Sequence, residues 1–436
     1  MRIGAIADDF TGATDVAVAF GDAGLRVEVV FGVPNAETVA PNCDVVVIAL
    51  KSRTIPAPDA VEQSLVAARW ARSQGCRQIY FKYCSTFDST AAGNIGPVAD
   101  ALSDELGAKS VVVTPAAPRH HRTVYQGHLF VGRQLLSESP MKSHPLTPMT
   151  DSDLLRVLAT QSTRKIDLLE HEIVRRGSAA ISGEIERFRA HGSQYVIVDA
   201  LTDHDLEELG STLRDQPLVT GAAGLAAGIA RAMMRGGPEH ENRQSQPIPP
   251  IDDFVSAAAL AGSCSARTLE QIAAFSRTNP SHQLDPITTP DSGALAHAAL
   301  DWFAAARTRG VPLIYSSADA ASVLRAQQAL GAERLAIVIE DAMARIAVGL
   351  IDAGIDRLVV AGGETSGSVA TALGMRTASV GPEAAPGVPW LFTSLGGRSR
   401  ALLLKSGNFG DRDFLLETAS PTSVTSVAHK EGSGPR

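Results

Sequence analysis

Short β-rich apolar runs alternate with longer amphipathic stretches from the start of the chain. The runs fall at 2–7, 27–31, 44–50, 78–83 and 110–114, and this alternation predicts parallel βαβ units. Residues 57–74 and 96–106 are long enough, and suitably spaced, for helices that cover a sheet. A further strand is predicted over 194–200, with a helix beginning near Asp203. The small-residue segment that follows, Val219-Thr-Gly-Ala-Ala-Gly-Leu-Ala-Ala-Gly228, is read as close helix packing. A phosphate-contacting turn at Gly221 is the alternative.

Between Arg235 and Asp253 the chain turns polar and proline-rich without any period, which marks a linker. A second series then begins, with strands predicted over 254–261, 311–315 and 357–361. Beyond Thr418 the composition of Ser, Thr, Gly and Pro predicts a mobile tail. The fold expected is α/β: two doubly wound, mostly parallel-sheet domains with a ligand cleft between them. Their bounds are 1–235 and 254–418, with a linker at 236–253 and a tail at 419–436.

Composition agrees with this division. The 436 residues exceed what one core usually organises. Hydrophobic residues at 44% and charged residues at 20% are an ordinary globular balance. A formal net charge of −8 without a basic run argues against a nucleic-acid binder. Cys43, Cys76, Cys84 and Cys264 lack the paired spacing of a zinc site or redox dithiol and are read as reduced. The first apolar run is too short for a secretory signal, and no stretch reaches the ~20 apolar residues of a membrane span, so a cytoplasmic protein is expected.

Candidate chemistry gathers at strand exits, where ligands collect in open α/β sheets. In the C-terminal half, 257–268 and 358–368 each run from a strand through small polar turns into a helix. Unpaired N–H groups and the positive dipole end of a helix favour anions there. Ser263, Ser265, Thr365 and Ser366 add hydroxyls, and Lys405-Ser-Gly-Asn-Phe-Gly410 makes a third such turn. Neither G-x-x-x-x-G-K-[ST] nor a first-strand G-x-G-x-x-G occurs, so the nucleotide site is not of either common kind.

In the N-terminal half the first strand delivers Asp8 and Asp9. One carboxylate could take the proton of an attacking hydroxyl or hold a metal, while capping of the next helix explains only one of them. Arg53 after the third strand could grip a carboxylate, Lys82 could supply a point charge, and Ser85, Asp88 and Ser89 could bind hydroxyls. His120, His121 and His128 lack zinc-ligand spacing, so Arg119 or Arg122 near an anion is preferred to a metal there. Metal ligands are not assigned.

Taken together, Ala7-Asp-Asp-Phe-Thr-Gly-Ala13, Lys82-Tyr-Cys-Ser-Thr-Phe-Asp-Ser-Thr90, His144-Pro-Leu-Thr-Pro-Met-Thr150 and Gly362-Gly-Glu-Thr-Ser-Gly367 resemble the four-carbon acid sugar kinases. The Ser-Thr-Phe-Asp-Ser-Thr form with Gly93-Asn-Ile-Gly-Pro97 is most similar to the 3-oxo-tetronate branch. The resemblance implies an acid-sugar domain followed by a nucleotide domain, with ATP and Mg²⁺ as cofactors and phosphorylation of a C4 hydroxyl. It carries ATP contacts onto Ser263, Gly362, Gly363, Glu364, Thr365, Ser366 and Gly407. Asp8 or Asp9 is then the catalytic residue, with Arg53, Lys82, Ser85 and Asp88 binding the acid. Threonate or erythronate kinase, NAD(P)-linked oxidoreductase and non-catalytic sugar-acid sensor are the competing readings. No nucleic acid or membrane partner is expected, and the oligomeric state is left open, a homodimer included.

Overall fold

The computed structural model describes residues 2–35, 38, 43–143, 147–235 and 249–420. Residues 236–248 of the expected linker, 421–436 of the expected tail, and His144, Pro145 and Leu146 of one motif lie outside this range. The chain divides into two compact units, Met1–Gln246 and Pro247–Arg436.

The first unit begins with β1 (Ile3–Ala7), α1 (Phe10–Gly21), β2 (Val27–Phe31), β3 (Val45–Ala49), α2 (Ala57–Ser73), β4 (Gln78–Lys82), α3 (Ile95–Leu106) and β5 (Val111–Thr114). A small antiparallel sheet follows: β6 (Arg122–Tyr125), β7 (His128–Val131) and β8 (Gln134–Leu135). The unit closes with α4 (Leu154–Ala159), β9 (Ile166–Leu169), α5 (His171–Val174), α6 (Ser178–Ala190), β10 (Tyr195–Val198), α7 (Asp203–Leu213), β11 (Leu218–Gly221) and α8 (Ala223–Arg235).

Eight of these strands form one parallel sheet in the order β2-β3-β1-β4-β11-β5-β10-β9. Every residue of β1, β3 and β4 is buried, as a sheet covered on both faces requires. On one face α1 packs on α8, α8 on α7 and α7 on α6; α2 packs on α3 and on β1. Gly228 allows the α7–α8 approach, since a Cβ there would lie 2.1 Å from the Leu206 carbonyl oxygen. The glycines of 219–228 are thus packing residues. The chain runs from β1 out to the edge at β2, back through β3, and crosses to β4 on the other side. The β1/β4 pair is therefore a topological switch point, where strand exits open a crevice.

The histidine-containing segment makes the small sheet. His120 and His121 form a turn, and His128 starts β7. Asp199, fully buried after β10, accepts the N–H groups of Gln126 at 2.8 Å, Gly127 at 2.9 Å and His171 at 3.0 Å, and so pins the β6–β7 turn. Among the described residues no group of three or more metal-ligating side chains occurs.

In the second unit come β12 (Ala257–Ala261), α9 (Ala266–Phe275), β13 (Ser281–Gln283), α10 (Ser292–Ala306), β14 (Leu313–Tyr315), α11 (Ala320–Leu330), α12 (Ala332–Asp352), β15 (Arg357–Ala361) and α13 (Gly363–Ala372). After these stand β16 (Thr377–Ala385), β17 (Val388–Leu395), β18 (Arg398–Lys405) and α14 (Phe414–Ala419). The strand order β13-β14-β12-β15-β18-β17-β16 repeats the switch of the first unit, here at β12/β15. The β13 to β18 portion is parallel, and β18, β17 and β16 form an antiparallel meander.

The expected strands of this half do not include β16 and β17. Gly381, Pro382, Pro386, Gly387 and Pro389 read as breakers. The structure accommodates them with register shifts between Val380 and Ala385, and with the Phe392 ring packed where a Cβ of Gly381 would stand. Likewise β12 starts at Ala257 rather than 254, because 251–253 forms a 3₁₀ turn. Fully buried Arg357 ties both ends of this unit to its sheet. It donates to the Ile251 carbonyl at 2.5 Å and the Ser420 carbonyl at 2.8 Å, with its guanidinium 5.7 Å from the Trp390 ring centre.

Candidate functional site

Each unit carries a cluster of polar groups at its switch point. In the first, Asp8 and Asp9 leave β1 beside Lys82, the last residue of β4. Asp9 is the N-cap of α1: its Oδ1 accepts the Gly12 N–H at 2.9 Å and its Oδ2 the Thr11 hydroxyl at 2.7 Å. Asp8 does not cap. The Arg53 guanidinium, brought over from the β3 exit, takes both Asp8 oxygens at 2.7 and 2.9 Å and also reaches Asp9 Oδ1 at 2.6 Å.

Arg53 was expected to grip a substrate carboxylate. Its fork holds the chain's own two carboxylates, and buried charges need such partners. The second cation beside the pair is Lys82. Its side chain is buried, and it has no hydrogen bond or ion pair among the described residues. A Cβ on Gly12 would lie 2.4 Å from Lys82 Nζ and 2.2 Å from Asp9 Oδ1, so only glycine lets the ammonium and carboxylate close over the first turn of α1.

The two aspartates are driven apart. Burial pushes the Asp8 carboxyl up, and the opposing pull of Arg53 does not undo it. Burial is also the largest influence on Asp9, but the charges of Arg53 and Lys82, with the Thr11 and Gly12 hydrogen bonds, together hold its carboxyl below the ordinary range. Arg53 stays charged: burial disfavours it, and Asp8 and Asp9 more than compensate. Asp9 is also the more open of the two, with side-chain exposure of 23% against 9% for Asp8.

Ser85 and Asp88 sit on the loop from β4 to α3. Asp88 Oδ1 is buried there without a hydrogen-bond partner. Next to it, Phe87 takes a left-handed conformation at φ 52°, unusual for a bulky residue, and its ring packs edge-on against Tyr83. Gln161, unremarked in the sequence, bonds this loop through Nε2, at 2.8 Å to Ser89 Oγ and 2.6 Å to the Thr90 carbonyl.

In the second unit Ser263 follows β12, 362–366 follows β15, and Gly407 follows β18. The structure brings all three together. Gly262 N–H bonds the Ala361 carbonyl at 2.9 Å, and Gly362 N–H the Lys405 carbonyl at 2.8 Å. Gly362, at φ 130°, is the N-cap of α13 without a side-chain cap, which leaves N–H groups of the first turn for an anion. Glu364 stands in that first turn. Thr365 Oγ1 fills the space a Cβ of Gly262 would need, and Ser366 Oγ is wholly buried without a partner. The Gly407 carbonyl accepts Ser265 Oγ at 2.8 Å and Thr268 Oγ1 at 2.9 Å, and Ser263 Oγ accepts the Ser265 N–H at 3.2 Å.

Lys405, at the start of the third turn, lies beside this cluster. It ends the apolar run of β18, is fully buried, and donates to the carbonyls of Ser406 at 3.0 Å and Gly407 at 3.1 Å. Burial, with Arg267 nearby, pushes its ammonium down to about 7. An unfolded lysine titrates near 10.4, so the full penalty of the buried charge is present below about 7 and is relieved as pH rises above it. Lys405→Met keeps the apolar stem. Its stability relative to the parent is expected to improve by on the order of 2 kcal/mol on going from about pH 9 to about pH 6. Thermal unfolding of both proteins at the two pH values checks this, and a difference independent of pH refutes the buried charge.

The family model described as the sugar-binding N-terminal domain matches residues 3–229, and that of the nucleotide-binding C-terminal domain matches 258–415. The chain is 47% identical to the 3-oxo-tetronate kinase of Burkholderia multivorans, over 94% of this chain and 95% of that one. It is 41% identical to the 3-oxo-tetronate kinase of Salmonella typhimurium, over 95% and 98%. Among solved structures, one from Salmonella typhimurium LT2 aligns with a TM-score of 0.83 at 41% identity, covering 95% of this chain and 98% of its own. One from Haemophilus influenzae aligns with a TM-score of 0.74 at 39% identity, covering 94% and 98%. With two domain models in sequence and relatives matched over nearly their full length, the chain belongs to the family of the 3-oxo-tetronate kinases.

Proposed function

We propose that this chain transfers the γ-phosphoryl group of ATP to the C4 hydroxyl of a 3-oxo-tetronate, of the 3-dehydro-erythronate or -threonate type, giving the 4-phosphate in four-carbon sugar acid catabolism. The observation that carries this reading is the Asp9–Lys82 pair at the switch point of the sugar-binding domain: a carboxylate held ionised, beside a buried ammonium that has no hydrogen bond or ion pair among the described residues. Relatives named for this activity, at 47% and 41% identity, supply the substrate class.

Asp9 takes the C4 hydroxyl proton as the oxygen lone pair attacks phosphorus, and the bond from phosphorus to the ADP oxygen breaks with its electron pair leaving on ADP. Lys82 faces the acid's negative charge; Ser85 and Asp88 receive its hydroxyls. Asp8 and Arg53 hold Asp9 in place. ATP lies on Ser263, Gly362, Gly363, Glu364, Thr365, Ser366 and Gly407, whose helix N-termini and hydroxyls suit phosphate oxygens. Mg²⁺ bound with the nucleotide would neutralise charge on its phosphates. Such an ion would be held largely by phosphate oxygens, water and one or two carboxylates.

The test is ADP release across 3-oxo-tetronates, threonates and erythronates, with the product identified by ³¹P NMR. Turnover of a 3-oxo-tetronate to a 4-phosphate is expected. Turnover confined to threonate or erythronate would move the substrate assignment, and nicotinamide oxidation or reduction without ADP would overturn the kinase reading.

A further inference from the structure

Asn94 stands at the N-cap of α3, a position where asparagine ordinarily accepts a hydrogen bond from its own helix. Here its side chain makes no such bond. The amide turns away and places Nδ2 2.6 Å from the Ser52 carbonyl, 3.1 Å from that of Arg53 and 3.0 Å from that of Ile55. Three facing carbonyls fix the amide orientation, since the reverse would set oxygen against oxygen. The helix end is served from elsewhere: Gln161 Oε1 accepts the Gly96 N–H at 2.8 Å. Helix capping therefore does not explain Asn94, which is 93% buried, with Oδ1 lacking any partner.

What Asn94 does hold is the β3 exit. Ser52 and Arg53 bond backward to the Asp8 carbonyl through their N–H groups, at 2.9 and 3.1 Å. That fixes one edge of the loop. Their own carbonyls, with that of Ile55, converge on one side-chain amide, which fixes the other. Arg53 leaves this doubly held turn to reach Asp8 and Asp9.

We infer that Asn94 is a positioning residue of the phosphoryl-transfer site: by gathering the β3-exit carbonyls it aims Arg53, and through Arg53 it sets the Asp8–Asp9 pair. Its effect on rate rests on the reading of Asp9 as the base; its effect on the carboxylates does not. Without the amide, buried carbonyls must find water or stay unsatisfied, so the loop reorganises and the guanidinium fork loses its alignment. The groups facing the two carboxylates are Arg53 from the β3 exit and Lys82 from β4, with Tyr83 just beyond it near Asp8, while Cys84 stands beside Arg53 and Lys82.

The test uses the full chain with Asn94→Ala, the milder Asn94→Ser, Arg53→Lys, and the Asn94→Ala/Arg53→Lys double variant. Asn94→Ala is expected to lower kcat/KM for the acid by about 10- to 100-fold without changing ATP affinity, with Asn94→Ser between it and the parent. Acting through one another, the two sites should be non-additive, the double variant being about as impaired as the worse single one. ¹³C titration of Asp8 and Asp9 should show both carboxyls moving up in the Asn94 variants. Moved carboxyls with an unchanged rate would uphold the positioning and sink Asp9 as base. Unmoved carboxyls, or additive losses, would overturn the inference whatever Asp9 does. Should Asn94→Ala fail to fold, the same readings on Asn94→Ser decide.

Discussion

Asp9→Asn is expected to lower kcat by about 10²- to 10⁴-fold, the usual worth of a positioned general base, with ATP affinity near that of the parent. The substitution isolates ionisation. Asparagine caps a helix as well as aspartate does, so the Gly12 bond and the start of α1 should survive, and Arg53 retains both oxygens of Asp8. Asp8→Asn acts differently: it removes a partner of Arg53 and should be felt through misplacement of Asp9.

The pH profile separates the two. A base must be deprotonated to act, so kcat/KM falls as pH drops through its folded-state titration. With Asp9 as base that limb lies below the ordinary aspartate range, because Arg53 and Lys82, together with the Thr11 and Gly12 hydrogen bonds, outweigh burial. With Asp8 as base it lies above, because burial wins. Parent-like turnover by Asp9→Asn, or an acid limb above the ordinary range, would remove Asp9 from the role.

The places where sequence and structure part have physical reasons. Apolar strands of the parallel sheets were legible because burial on both faces writes itself as unbroken runs. Strand exits followed from them, and with them Asp8, Asp9, Lys82 and the three loops of the second unit. The partner of a charge was not legible. Arg53 lies 44 positions from Asp9 in the chain, and nothing local distinguishes an arginine that binds a ligand from one that binds two of its own carboxylates. Lys405 was hidden for a related reason: a lysine closing an apolar run reads as a strand end reaching water, whereas here the β18 exit folds over it. Asn94 stands at the start of α3, and nothing in its local sequence shows that its amide serves the β3 exit 39 to 42 positions earlier.

Gly407→Ala is the second large effect expected, with kcat/KM for ATP lower by on the order of 10²-fold and KM for the acid near that of the parent. A Cβ at this position would lie 2.2 Å from Ser263 Oγ, 2.9 Å from Ser265 Oγ and 3.1 Å from Ser263 Cβ. Relief requires movement, and both hydroxyls are engaged. Ser263 Oγ accepts the Ser265 N–H, and Ser265 Oγ caps α9 at the Thr268 N–H while donating to the Gly407 carbonyl. Rotating either opens the junction between the β12 and β18 exits, which we propose as part of the ATP site. The disturbance stays local because the buried strands below are untouched, so the melting temperature should fall only slightly. Gly183→Ala, where a Cβ meets open space, is the control and should leave ATP kinetics unchanged. A folded Gly407→Ala protein with the parent's ATP constants would take the β18 exit out of the nucleotide site.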